Sequence, residues 1–205
     1  MATFTSVDAV AEHLLSSSTA SRRLIGIVGS PGAGKSTIAE ALVAALPGAA
    51  LLPMDGYHFP QAELRRLGRR ERMGAPDTFD VEAFVATLER VRTAGGSVSA
   101  RGFDRTVEEP VEGAIVLPQE SQTIIVEGNY LLVAEGGWGG VAPLLDETFT
   151  VELAEPVRHA RLIARHIRYG KSETDARAWA LGPDEHNASI IAASAHLADH
   201  TITLP

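Results

Sequence analysis

The sequence predicts an α/β fold, an open and mainly parallel sheet with helices on both faces and a small hairpin and lid region beside it. Three observations carry that prediction. Short apolar runs such as Leu24-Ile25-Gly26-Ile27-Val28 and Thr123-Ile124-Ile125-Val126 read as strands buried on both faces. Helix-length segments alternate with these runs along the chain. Between the first of the runs and the helix after it lies Gly29-Ser30-Pro31-Gly32-Ala33-Gly34-Lys35-Ser36, which fits G-x-x-x-x-G-K-[ST] at every fixed position.

The elements follow in order. Ser6 caps a helix through about Leu15, with Val7, Val10, Ala11, Leu14 and Leu15 on one face. Ser16 to Ser21 reads as a polar linker. After the glycine-rich loop a helix runs from Thr37 to Ala45 and stops at Pro47-Gly48. Ala49 to Met54 reads as a strand ending at Asp55-Gly56, and Gln61 to Arg72 as a basic helical stretch broken at Gly68. Asp80 or Thr78 caps a helix to about Thr93, closed by Gly95-Gly96. Ser97 to Phe103 and Gly113 to Leu117 read as a hairpin with a charged loop. The strand at Thr123 to Val126 ends in Glu127-Gly128, and a further strand covers Thr148 to Leu153. Glu155 to Tyr169 is an arginine-bearing helix, a more polar helical region reaches about Leu197, and His200 to Leu204 is a last strand.

At 205 residues the chain is expected to be one domain spanning 1–205, with an N-terminal helix and linker over 1–21 and a lid over about 155–190. A net charge of −8 argues against nucleic acid or a membrane surface as partner, so phosphate binding has to be local. Trp138 and Trp179 lie in different segments and offer no stacking platform for bases. Without cysteine, disulfides and thiolate metal sites are excluded. No signal-peptide pattern or spanning apolar run is present, so a cytoplasmic location is expected.

The loop's chemistry explains its spacing. Glycines let successive N–H groups turn inward around an anion, and the following helix aims its positive end at the same point. Gly29, Ser30, Pro31, Gly32, Ala33, Gly34, Lys35, Ser36 and Thr37 are therefore the expected nucleotide-binding residues. Lys35 reaches the β- and γ-phosphates, and the Ser36 hydroxyl is a ligand for Mg²⁺. In an open α/β sheet ligands sit beyond the carboxyl ends of the strands. Asp55 ends its strand there, where it would accept or orient an acceptor hydroxyl. Glu127 ends another, where it would hold Mg²⁺ directly or through water. The chain lacks an N-K-x-D guanine-reading motif and an L-S-G-G-Q-like signature. What remains is a small-molecule kinase, or an NTPase that couples hydrolysis to regulation or mechanical work.

Taken together the segments resemble the uridine kinase, phosphoribulokinase and pantothenate kinase family of P-loop kinases. The matching pieces are Gly29 to Thr37, Met54-Asp55-Gly56-Tyr57-His58-Phe59, Gly74-Ala75-Pro76-Asp77-Thr78-Phe79-Asp80, Phe103-Asp104-Arg105, Val126-Glu127-Gly128-Asn129-Tyr130 and the helix carrying Arg161 and Arg165. They cover about residues 22 to 204 and look most like a bacterial branch described as fructose-transport-system or fructokinase-like kinases. Uridine kinases carry serine where this chain has Gly56, and Asp55-Gly56-Tyr57 followed by Pro60 is similar to the pantothenate kinase version.

The resemblance implies an ATP- and Mg²⁺-dependent kinase acting on an alcohol of a small metabolite. A sugar such as fructose is the first expectation for the acceptor, and a nucleoside or pantothenate-type alcohol the second. By the same resemblance Asp55 is the catalytic carboxylate, Glu127 the Walker B acid, and Arg161 and Arg165 the lid arginines that meet the transferring phosphoryl group. Arg158 shares their helix face. Tyr57, His58, Asp77, Arg101, Arg105 and Asn129 fall in segments resembling the acceptor pocket, as do Asp104 and Tyr130. Asn187 falls in the lid region. The basic run Arg65, Arg66, Arg69, Arg70 and Arg72 would attract an anion or simply be solvated. By the same resemblance, related enzymes often form dimers or larger assemblies, which leaves a homodimer open, though no patch in the sequence identifies an interface.

Overall fold

The structure, a computed structural model, describes residues 1–17 and 21–203. Positions 18–20 of the expected linker, and Leu204 at the end of the expected last strand, lie outside the described residues. The strands are β1 (Ala2–Phe4), β2 (Arg23–Val28), β3 (Ala50–Pro53), β4 (Val98–Asp104), β5 (Glu109–Leu117), β6 (Thr123–Gly128), β7 (Glu147–Glu152) and β8 (His200–Thr203). The helices are α1 (Val7–Ser16), α2 (Lys35–Ala45), α3 (Gln61–Arg66), α4 (Val81–Thr93), α5 (Glu155–Arg168), α6 (Glu173–Leu181) and α7 (Pro183–Ala195).

Six strands form one sheet in the order β1-β8-β7-β2-β6-β3, and each neighbouring pair is parallel. Strands β4 and β5 form a separate antiparallel hairpin. All six residues of β2 are buried, which is why Leu24–Val28 is apolar throughout rather than alternating, while the buried Arg23 at its start bonds Thr123. Its side chains still alternate in direction. Leu24 and Val28 join Ile124, Val126 and the α4 residues Phe84, Leu88 and Val91 in one core. Ile25 and Ile27 join Ile125, Val10 and Leu14 of α1, and Ile38 and Leu42 of α2 in the other. Each such side chain contributes about 2 kcal/mol, and a one-residue slip would exchange the two faces.

The helix starts follow their caps. Ser6 Oγ accepts from the Ala9 N–H at 3.2 Å, and an Asp80 carboxylate oxygen accepts from the Ala83 N–H at 3.2 Å. Asp80, not Thr78, therefore caps α4. Gly182 and Pro183 divide the polar helical region into α6 and α7. The short strand β1 was not expected, because three largely exposed residues carry little pattern, and it forms by pairing with β8. The expected basic helix shortens to α3 followed by a 3₁₀ turn at Arg70–Arg72.

The sheet order sets the site. Strand β2 lies between β7 and β6, and β3 lies on the far side of β6. Glu127 is inside β6 rather than after it, level with Ile27 of β2 and Pro53 of β3. The glycine-rich loop, Glu127 and the 3₁₀ turn Met54–Tyr57 that holds Asp55 thus meet at the carboxyl ends of β2, β6 and β3.

Candidate functional site

The loop between β2 and α2 closes on itself, with Ala33 N–H donating to the Ser30 carbonyl at 3.1 Å. Gly32 has φ +81°, and a Cβ there would lie 2.7 Å from Leu162 Cγ and 3.0 Å from the Arg158 carbonyl. Glycine is required both by the backbone and by the close approach of α5. Lys35 opens α2, is buried, and donates from Nζ to the Ser30 carbonyl at 3.2 Å. Burial pushes its pKa down, while Glu127 and Asp55 oppose that shift.

The two carboxylates behave differently. Burial would raise the Asp55 carboxyl, but His58 when protonated at acid pH, together with Arg105, Arg165 and Lys35, outweighs it and holds Asp55 below the ordinary range. Arg105 Nη2 donates to Asp55 Oδ2 at 2.6 Å. The Glu127 carboxyl is pushed up, chiefly by burial and further by the nearby Asp55 charge, against Lys35 and Arg105 and a hydrogen bond from Ser36. Environment thus separates two neighbouring acids, one firmly ionised and one reluctant.

These groups line a cavity of about 250 Å³. Of the residues expected from sequence, Pro31, Lys35, Ser36, Asp55, His58, Arg105, Glu127, Asn129, Arg165 and Asn187 face it. Arg161 lies just outside, its Nη1 3.4 Å from where a Cβ on Gly34 would be. Arg158 is buried and held by Glu185 at the start of α7, which takes it out of the choice among the three α5 arginines.

Other expected pocket residues lie elsewhere. Tyr57 is buried against Phe84, with ring centroids 4.9 Å apart. Arg101 bonds Asp80 at 2.8 Å and Glu112 at 2.5 Å and covers the Tyr57 ring. Asp77 is held by Arg72 and by Arg69, the latter at 3.3 Å, away from the cavity. Asp104 accepts from the Thr106 N–H at 2.8 Å within the hairpin turn. These three charged residues are satisfied by near neighbours, a role their sequence context could not separate from substrate contact. Tyr130 is buried and donates to the Gly74 carbonyl at 2.5 Å.

Sequence reasoning missed Phe79, Phe103, Glu108, Lys171 and Asp184, which also line the cavity. Arg70, one member of the basic run, lines it too and bonds Glu108 at 2.6 Å. Among the described residues Glu108 is the non-glycine residue with a left-handed backbone, at φ +53°. That conformation turns the hairpin tip onto α3, where Gln61 N–H donates to Glu109 at 3.2 Å and Gln61 Nε2 to the Val107 carbonyl at 2.7 Å. Gly56 explains its own departure from serine. A Cβ there would sit 2.3 Å from the Arg101 carbonyl, because β4 packs directly on the Asp55 turn.

The oxygen donors of Ser36 and Glu127, with Asp55 close by, suit a hard divalent cation such as Mg²⁺, which would also reverse the electrostatic penalty on Glu127. A second acid and histidine cluster, His13, Glu147 and His200, lies at the other end of the sheet. His200 Nδ1 accepts from the Ala2 N–H at 3.2 Å, so its Nε2 carries the proton and donates to Glu147 at 2.8 Å. That is a clamp for β1 rather than a metal site. No helix among the described residues is long and apolar enough to cross a membrane.

No family model matches the chain. A protein provisionally named a uridine kinase, from Schizosaccharomyces pombe, is 31% identical over 168 residues, which are 77% of this chain and 72% of that protein. A pantothenate kinase of Clavibacter michiganensis subsp. michiganensis is 32% identical over 137 residues, 63% of this chain but 43% of that enzyme. Among solved structures, a provisionally named fructose transport system kinase from Silicibacter sp. TM1040 superposes with a TM-score of 0.89 at 33% identity, covering 96% of this chain and 98% of that one.

Proposed function

This chain belongs to the uridine kinase, phosphoribulokinase and pantothenate kinase family of P-loop kinases, an ATP-dependent phosphotransferase acting on a small-molecule alcohol, and on that premise we propose that its acceptor is a sugar such as fructose. The observation that supports the reading is Asp55, ionised and facing the same cavity as Lys35 and Ser36 of the phosphate-binding loop.

In this reading the loop amides, Lys35, Arg161 and Arg165 hold the triphosphate and meet the charge that spreads over the moving phosphoryl group. Mg²⁺ held by Ser36 and Glu127 would neutralise β- and γ-phosphate charge. Asp55 orients the acceptor hydroxyl, whose oxygen forms the new bond to the γ-phosphorus. The bond from that phosphorus to the β–γ bridging oxygen breaks, ADP leaves, and Asp55 takes the hydroxyl proton. Helices α5 to α7, over about 155–190 within a single 1–205 domain, act as a lid that excludes water as a competing acceptor. His159 and His166 of α5 bond Glu185 and Asp184 of α7 at 2.8 and 2.7 Å, which ties these two helices together.

The test is ATP consumption in the presence of a panel of sugars, nucleosides and pantothenate. Stimulation by a sugar above the others is the expected result. Hydrolysis indifferent to every acceptor would instead favour a regulatory NTPase.

A further inference from the structure

His58 packs at a tilt of 39° against both Phe79 and Phe103, with ring centroids 3.9 and 5.0 Å away, and lines the cavity beside Asp55. Its Nδ1 lies 2.9 Å from the Asp55 main-chain carbonyl. A carbonyl can only accept, so Nδ1 carries the proton. Among the described residues no protein group bonds Nε2, and it is not one of the side-chain atoms sealed from solvent without a partner. In neutral imidazole Nε2 is then a bare acceptor opening on the cavity. Burial supports the neutral form by pushing the His58 pKa down, with Arg105 adding to that shift and Asp55 and Glu108 opposing it.

Charge is distributed unevenly along the same cavity. At the hairpin end each arginine has a carboxylate: Arg105 with Asp55 and Arg70 with Glu108, each at 2.6 Å. Toward the loop and α5, Lys35, Arg165 and Lys171 have no carboxylate within ion-pair distance among the described residues. Anionic ligands are therefore received at the triphosphate end. An anionic acceptor would have to pull Arg105 or Arg70 off an acid already bonded to it.

We propose that the acceptor is an uncharged polyol, its reacting hydroxyl on Asp55 and a neighbouring hydroxyl donating to His58 Nε2. The inference rests on the kinase reading and narrows it. His58 is a specificity-determining residue: a site built to accept a hydrogen bond discriminates against a ligand that lacks the donor.

Two measurements on the full-length protein test it. Nitrogen-15 NMR of histidine-labelled enzyme, with His58 assigned by difference against His58→Phe, is expected to show one protonated and one bare ring nitrogen at neutral pH. Steady-state kinetics then compare D-fructose, mannitol and gluconate as acceptors, and D-fructose with its deoxy analogues. The neutral members are expected to exceed gluconate at least tenfold in kcat/KM. One deoxy analogue is expected to lose at least tenfold with the wild type and nothing further with His58→Phe, which keeps the stacked ring. His58→Gln, which returns an acceptor oxygen, is expected to restore part of the loss. A protonated Nε2, or a preference for gluconate, overturns the polyol assignment while phosphoryl transfer itself stands. ATP turnover that no acceptor stimulates overturns the kinase reading, and the inference with it.

Discussion

Gly56→Ala is the substitution whose effect follows most directly from distances. The added methyl would stand 2.3 Å from the Arg101 carbonyl oxygen and 2.7 Å from its carbon, both backbone atoms of β4. Ordinary contact begins at 3.4 Å, so either the hairpin or the Asp55 turn must retreat by about 1 Å. Strand β4 leads into Arg105, which holds Asp55 at 2.6 Å, so the retreat is felt at the reacting end of the cavity. A misplacement of about 1 Å costs roughly 10²-fold in turnover, about 2.7 kcal/mol in barrier. The assay is kcat/KM for the best acceptor, read by ATP consumption, beside nucleotide affinity measured by titration. The expected result is a fall near 100-fold with nucleotide affinity held within threefold. Gly95→Ala, where a Cβ meets nothing within 4 Å, serves as the control and is expected to be silent. Wild-type kcat/KM in Gly56→Ala would refute the claim that the hairpin and the Asp55 turn are held in register by this contact.

The α5 arginines are expected to separate by role. Arg165→Ala should lower kcat by about 10²–10³-fold, the loss typical of one group that meets transition-state charge. Arg158→Ala should leave kcat within tenfold but lower the melting temperature by several degrees, since it breaks the α5–α7 pair; Glu185 is 39% exposed, so the loss is nearer 1–2 kcal/mol than the value for a sealed pair. Equal kinetic effects from both would show that Arg158 reaches the phosphates. Acid denaturation reports on Asp55. Its carboxyl titrates below the ordinary value of 3.8 in the folded state, so its ion-pair contribution is complete above about pH 4 and disappears as pH falls through the lowered folded value. The melting-temperature gap between wild type and Asp55→Asn is therefore expected to close as pH falls below about 4, and to be flat only above about pH 6.5, where His58 is neutral and Arg105, Arg165 and Lys35 alone hold the carboxylate. A gap that widens as pH falls below about 4 would reverse the sign of the assignment.

Much of the fold was legible because its strands are buried on both faces. Leu24–Val28 and Ile124–Val126 have no solvent side to alternate with, and the helices between them carry caps that can be read directly, as Ser6 and Asp80 show. The phosphate-binding loop was legible because glycine spacing, lysine and serine are a chemical requirement rather than a preference. The acceptor end was less so. Tyr57, Asp77 and Arg101 sit in the matching segments, yet one fills the core and two are neutralised by Arg69, Arg72, Asp80 and Glu112. Partner choice among charges is a tertiary property that no local pattern reports. Glu108 and Arg70 illustrate the converse. They face the cavity because of a left-handed turn at a non-glycine residue and a docked hairpin, neither of which has a local signature.

In the proposed reaction Asp55 directs an alcohol onto a phosphoryl group held by the Lys35 loop. Product mass spectrometry with ATP and the best acceptor, run on wild type and Asp55→Ala at matched nucleotide saturation, tests it most directly. Wild type is expected to yield a phosphorylated acceptor and the variant at least 10³-fold less, with nucleotide affinity changed by less than threefold. Undiminished phosphorylated product from Asp55→Ala would contradict it.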